Sequence, residues 1–148
     1  ITATQQLLGG NLVIAIQEGG LIHALEFCNI EAIPLTAKFE KEYNAGIKRV
    51  SDRNRNPNNA ASSSETALIE NFGEVLAKGE KPEPVVITEG TVKRLYFPIV
   101  TNAMCLQCHG KPETINPEVL QKSKQLYPND LALGYDVNEV RGLWRIDF

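Results

Sequence analysis

Residues Pro82–Gly110 read PEPVVITEGTVKRLYFPIVTNAMCLQCHG. Two β-rich runs, Pro82 to Thr88 and Thr91 to Thr101, flank Glu89-Gly90, and a glycine turn between two such runs predicts a β-hairpin. Strands joined by so short a link pair antiparallel, which points to a small antiparallel sheet and away from a βαβ crossover. The second strand leads straight into Cys105-Leu106-Gln107-Cys108-His109.

Two cysteines separated by two residues and followed at once by histidine form the attachment signature of a c-type haem. The spacing has a chemical reason. The two thiols add to the two vinyl groups on one edge of the porphyrin, and the short peptide between them holds His109 beneath the ring as proximal iron ligand. With three cysteines and two histidines in 148 residues, chance would produce such a match in about one sequence in a thousand. Two other readings weigh against it. A redox dithiol wants a thioredoxin-like βαβ setting, which is missing here. A zinc site built from Cys28, Cys105, Cys108 and His109 would need adjacent Cys108 and His109 to converge on one ion, with no second close-spaced ligand pair.

Composition sets the frame. The length suits one domain, and 43% hydrophobic with 22% charged residues suits a real core. A net charge of −3 gives no reason to expect nucleic acid or an anionic membrane surface as partner. Haem c is attached outside the cytoplasm. The motif therefore implies an extracytoplasmic protein, in the periplasm or, in a photosynthetic bacterium, the thylakoid lumen. The start at Ile1 rather than Met fits a processed chain, with a signal or membrane anchor upstream. The apolar run at Leu12–Ile16 ends at Gln17, far short of a membrane span. If Cys105 and Cys108 become thioethers, Cys28 is left unpaired in an oxidising compartment. A lone thiol there must be buried, paired between chains or bound to metal.

The rest of the chain completes an α+β pattern. Thr2 to about Ile30 reads as one long helix, with Leu7, Ile14, Leu21 and Cys28 on a seven-residue repeat and Leu12, Ile16, His23, Phe27 and Ile30 on a second stripe. Two stripes predict a helix covered on more than one side, by its own domain and by a second copy in a homodimer. Pro34 suits the first turn of another helix, to about Tyr43, ending before Gly46. Ile47–Ser51 predicts a strand, and Asp52–Asn59 a polar loop. Ser62–Glu65 predicts a cap to a helix that ends at Gly79, and Pro117–Leu126 a further helix. Gly142–Phe148 predicts a closing strand. The expected organisation is an N-terminal helical arm over 1–45 and a sheet domain over 46–148, forming a single structural unit with flanking helices and a haem-attachment loop.

On these residues the chain resembles a family of haem-c-binding, PAS-like domains of exported bacterial proteins and of the sensory parts of signalling proteins. The resemblance covers most of the chain. It rests on Cys28 ending the first helix, Arg49-Val50-Ser51, Arg55-Asn56-Pro57 with Asn59, and Cys105-Leu106-x-Cys108-His109-Gly110. It rests also on Tyr127-Pro128-x-Asp130-x-Ala132-x-Gly134-Tyr135 and on Arg141-Gly142. It implies a PAS-like sheet, one covalent haem c, and a role in redox or gas sensing or in electron transfer with a redox partner or a small gaseous ligand. It further implies that Cys28 supplies the second axial ligand, opposite His109.

The residues by themselves leave alternatives open. Cys28 is the sixth ligand or a buried small hydrophobe. His23, the other histidine, is the sole route to bis-His ligation, though a half-buried, hydrogen-bonded histidine is its simpler state. Met104 adjoins Cys105 and so falls on the proximal side, the wrong one for a sixth ligand. Arg49, Arg53 and Arg55 pair with haem propionates or sit in a solvated loop. Tyr127 and Tyr135 pack on the porphyrin or in the core. Full six-coordination favours a non-enzymatic redox or sensor protein; a peroxidase-like enzyme would need an open sixth position served by His23.

Overall fold

The computed structural model describes residues 2–148, with the side chains of residues 6, 9–30, 34 and 36–148. The element order is α1 (Thr2–Tyr43), β1 (Gly46–Val50), a 3-10 turn (Pro57–Asn59), α2 (Ser63–Ala77), β2 (Val85–Glu89), β3 (Val92–Val100), α3 (Ala103–His109), α4 (Pro117–Leu126) and β4 (Val140–Asp147). The four strands form one antiparallel sheet in the order β1-β4-β3-β2. The α+β class and the antiparallel hairpin stand as expected. The hairpin loop lies one residue further on, at Gly90-Thr91, because Glu89 pairs with Val92.

Side chains alternate across a strand, so the register sorts the two faces. Val50, Leu143, Val140 and Tyr96 meet Ile69 and Phe72 of α2 in one core. Arg49, Trp144 and Phe97, paired across three strands, share the opposite face. A second core joins Leu21, Ile22 and Leu25 of α1 to Ile115, Val119 and Leu120, and Cys108 packs against it. The long helix is thus fastened to α4 and β1 rather than standing clear of the sheet.

The first helix differs from the reading in two ways. It runs on through Pro34 to Tyr43, so no new helix begins at the proline. It breaks instead at Gly20 (φ 75°, ψ −171°), a backbone conformation open almost solely to glycine. The break ends the seven-residue repeat. Before it, Leu12 and Ile16 face inward while Ile14 is 50% exposed; after it, Leu21, Leu25 and Cys28 face inward. Leu7, the first member of that stripe, lies outside the described side chains.

Two devices lock the sheet domain. Gly142 (φ 157°) sits where β4 crosses closest to β1, and a Cβ there would collide with the Val50 carbonyl oxygen, which is fixed backbone. Glu65 is 3% exposed and completes the capping box of α2: Ser62 N–H donates to it at 2.9 Å and Ser62 Oγ accepts from Glu65 N–H. Its other oxygen accepts from Arg145 at 3.1 Å and from the Tyr96 hydroxyl at 3.3 Å. Burial works against the charge, but the Ser62 and Arg145 bonds outweigh it and hold the Glu65 carboxyl below its ordinary pKa. A depressed carboxylate stabilises the fold above its unfolded pKa, about 4.3, and that contribution is lost as pH falls through the folded value. Glu65→Ala is therefore expected to cost about 2 kcal/mol in urea unfolding at pH 7. The gap from the parent should narrow below about pH 4.

Candidate functional site

The residues singled out by the sequence meet around one cavity of about 270 Å³ between α1, the sheet and α3. Cys28, Arg49, Arg55, Cys105, Cys108, His109 and Tyr127 all line it. Leu12, Ile16, Leu21, Ala24 and Leu25 make its α1 wall apolar, while Ser51, Asn54, Asn56, Asn59 and Arg141 make its β1 side polar. Met104 lines it as well. Tyr135 does not. It is buried behind His109, edge-on to the imidazole with centroids 6.5 Å apart. His23 is exposed and outside the cavity wall, not half-buried as expected.

The Cys-x-x-Cys-His segment, read as a loop, is the helix α3. Asn102 caps it: its Oδ1 accepts from Met104 N–H at 3.0 Å, Cys105 N–H at 3.2 Å and the Cys105 thiol at 3.3 Å. Asn102 before Ala-Met-Cys-Leu-Gln is the local signal for a helix start.

His109 has a defined tautomer. Its Nδ1 lies 2.8 Å from the Ala132 carbonyl oxygen, which only accepts, so Nδ1 carries the proton and Nε2 keeps a free lone pair. Burial first, then Arg55 and Arg141, push the imidazole pKa well below its ordinary value, so the ring stays neutral. A neutral ring with an anchored Nδ1 is what a metal ligand needs. Burial also pushes the Cys28 thiol up, against the pull of Arg49 and Arg55, and pushes the Cys108 thiol up. A lowered thiol pKa marks a reactive cysteine, and neither Cys28 nor Cys108 shows one. The strand after α3 pairs antiparallel with the one before it, which also departs from a thioredoxin-like setting. Among the described residues, no group of three or more His, Cys, Asp or Glu side chains is placed to hold a metal ion.

The chain matches the model of the Tll0287-like family over residues 2–148. It belongs to that family. A solved structure, that of the cyanobacterial heme-protein Tll0287, superposes on it with a TM-score of 0.65 at 20% identity, covering 94% of this chain and 92% of that one. At that identity the likeness shows the fold alone. No curated protein matches the chain.

In this Tll0287-like chain the segment Tyr127–Tyr135 braces His109. Tyr135 N–H donates to the His109 carbonyl at 3.0 Å and Gly134 N–H to the Gly110 carbonyl at 2.8 Å. Asp130 is the hub. It accepts from Ala132 N–H, Ser123 Oγ and Arg55 Nε, each at 2.9 Å. Arg55 also donates to the Cys108 carbonyl at 2.6 Å, so its fork ties the motif helix to the brace. Arg53 stacks 3.9 Å over Tyr135 and donates to the Leu133 carbonyl. Arg49 stacks on Trp144, 5.6 Å from the ring centroid. The Arg55–Asp130 side chains are 11% and 3% exposed, and breaking such a buried pair leaves a charge without its partner. Asp130→Asn is expected to lower unfolding stability by about 3 kcal/mol. Ser123→Ala, which removes one neutral donor, should cost about 1 kcal/mol. Equal losses in the two variants, read by urea denaturation, would contradict the hub role.

Proposed function

We propose that the chain is a monohaem c-type protein of an extracytoplasmic compartment, serving redox or gas sensing or low-potential electron transfer. On this reading Cys105 and Cys108 would hold haem c covalently in a PAS-like domain, and His109 and Cys28 would be the two side chains that ligate its iron. The observation that carries it is the convergence on one cavity of both motif thiols, the anchored His109 ring and Cys28 from a distant helix. The residues fit the group. The cavity has an apolar wall along α1, no Asp or Glu among the described residues that line it, and a size just below the roughly 300–1,000 Å³ of small-molecule sites. The matching solved structure is described as a heme-protein, which supports the same cofactor here.

When bound, haem supplies a one-electron iron couple. The chain's own residues do the rest. Ala132 holds the proton on His109 Nδ1, Asp130 and Arg55 hold the motif helix against its brace, and the α1 side chains exclude water. A peroxidase-like enzyme, the second reading, needs an open sixth position with a distal base. His23 would be that base, and its exposure outside the cavity favours the non-enzymatic role. Attachment of haem c outside the cytoplasm supports the periplasm or, in a photosynthetic bacterium, the thylakoid lumen. Partners would be a redox protein or a small gas.

Intact mass after expression with haem c maturation tests the reading: the bare chain plus one haem is expected, and the bare chain alone overturns it. Val13, Ile14 and Ile30 remain exposed on α1, which supports a homodimer through that helix. Light scattering at roughly tens of micromolar, the range of a weak dimer, should return twice the chain mass; a monomer mass would count against it.

A further inference from the structure

Among the described residues, three arginines line the cavity, Arg49, Arg55 and Arg141, and no Asp or Glu does. Arg55 has its counter-ion in Asp130. Arg49 lies on the Trp144 ring, and neither it nor Arg141 has an ion-pair partner among the described residues. Arg141 lies 5.4 Å from the Tyr135 ring centroid and spends Nη1 on Ser51 Oγ at 2.9 Å and on the Arg53 carbonyl at 3.2 Å, while its Nε is buried with no acceptor among the described residues. Burial lowers the pKa of both guanidinium groups, which marks the cost of holding them charged without an anion. They sit on adjacent strands, β1 and β4, and both line a cavity whose α1 wall is apolar.

We infer that Arg49 and Arg141, each lining the cavity without an ion-pair partner among the described residues, take the two propionates of the haem, one each. The inference rests on the haem reading and changes its residue assignment. Arg55, which the sequence offered for this role, is committed to Asp130 and the Cys108 carbonyl, and Arg53 to Tyr135 and Leu133. Arg141, which stood in the sequence simply as the entry to the last strand, takes its place. A flat edge bearing two carboxylates supplies the two missing negative charges, and an arginine fork matches each of them. An uncharged apolar ligand would leave both cations uncompensated.

Resonance Raman spectra of the holoprotein, in the propionate-bending region, test this. Arg49→Gln and Arg141→Gln should each shift the propionate band, and Arg53→Gln should leave it in place. Arg49→Lys and Arg141→Lys, which keep the charge and lose the fork, should give smaller shifts; they also serve if a Gln variant fails to fold. A coloured parent whose band is unmoved in all these variants overturns the inference and leaves the haem reading standing. A shift with Arg141→Gln alone overturns the assignment of Arg49 and makes it the counter-ion of the Cys28 thiolate. A colourless parent overturns the haem reading, and the inference with it.

Discussion

Cys105→Ser combined with Cys108→Ser is expected to remove haem stain completely from the denatured polypeptide, where the parent keeps all of it. The thioether bonds survive denaturant and coordination bonds do not, so the effect is all or nothing. Both thiols line the cavity beside His109, and Asn102 caps the helix that sets their spacing. Each single variant should retain haem through one bond. The double variant keeps His109 and its Ala132 anchor, so it should still take up haem reversibly when native. Covalent stain persisting in the double variant would show that attachment runs through other residues.

Cys28→Ala is expected to open the position opposite His109, convert the ferric spectrum from low to high spin, and raise the reduction potential. Cys28 lies after the Gly20 break, on the face of α1 that lines the cavity. Without iron its thiol is protonated, since burial pushes its pKa up. Iron binding favours the thiolate, and Arg49 and Arg55 pull the same way. A thiolate donates charge and stabilises the ferric state, so the parent potential should fall below that of His/Met cytochromes. Its loss should move the potential up. On the proposed ligation, reduction would weaken the thiolate's hold and acid would weaken it further, so the potential of the parent is expected to depend on pH. Potentiometry of the two proteins checks this; an unchanged low-spin spectrum and potential in Cys28→Ala would take the sulfur off the iron.

The hairpin and the cap of α2 were legible because each rests on local chemistry, whereas the meeting of Cys28 with the motif was implied only by the family resemblance. Ser62 and Glu65 declare a capping box within four residues. Glu89 and Gly90 declare a turn. What was illegible depended on tertiary choice. Two glycine pairs stood in α1, and nothing local says that Gly20 breaks while Gly10 stays helical. Pro34 reads as a helix start, yet the helix passes through it. The arginines show the same limit. Arg49, Arg53, Arg55 and Arg141 are alike in sequence. Their roles divide only when Asp130, Tyr135 and Trp144 arrive from elsewhere in the chain. Asp130 itself was a motif letter until its three hydrogen bonds made it the hub of the His109 brace.

Low-temperature electron paramagnetic resonance of the ferric holoprotein, read beside its visible spectrum, tests the central claim most directly. Ligation by His109 and Cys28 predicts a single low-spin species with the narrow g-spread of a thiolate-bound haem. It also predicts loss of that signal in Cys28→Ala. A high-spin five-coordinate signal in the parent would contradict it and turn the account toward an open, peroxidase-like site.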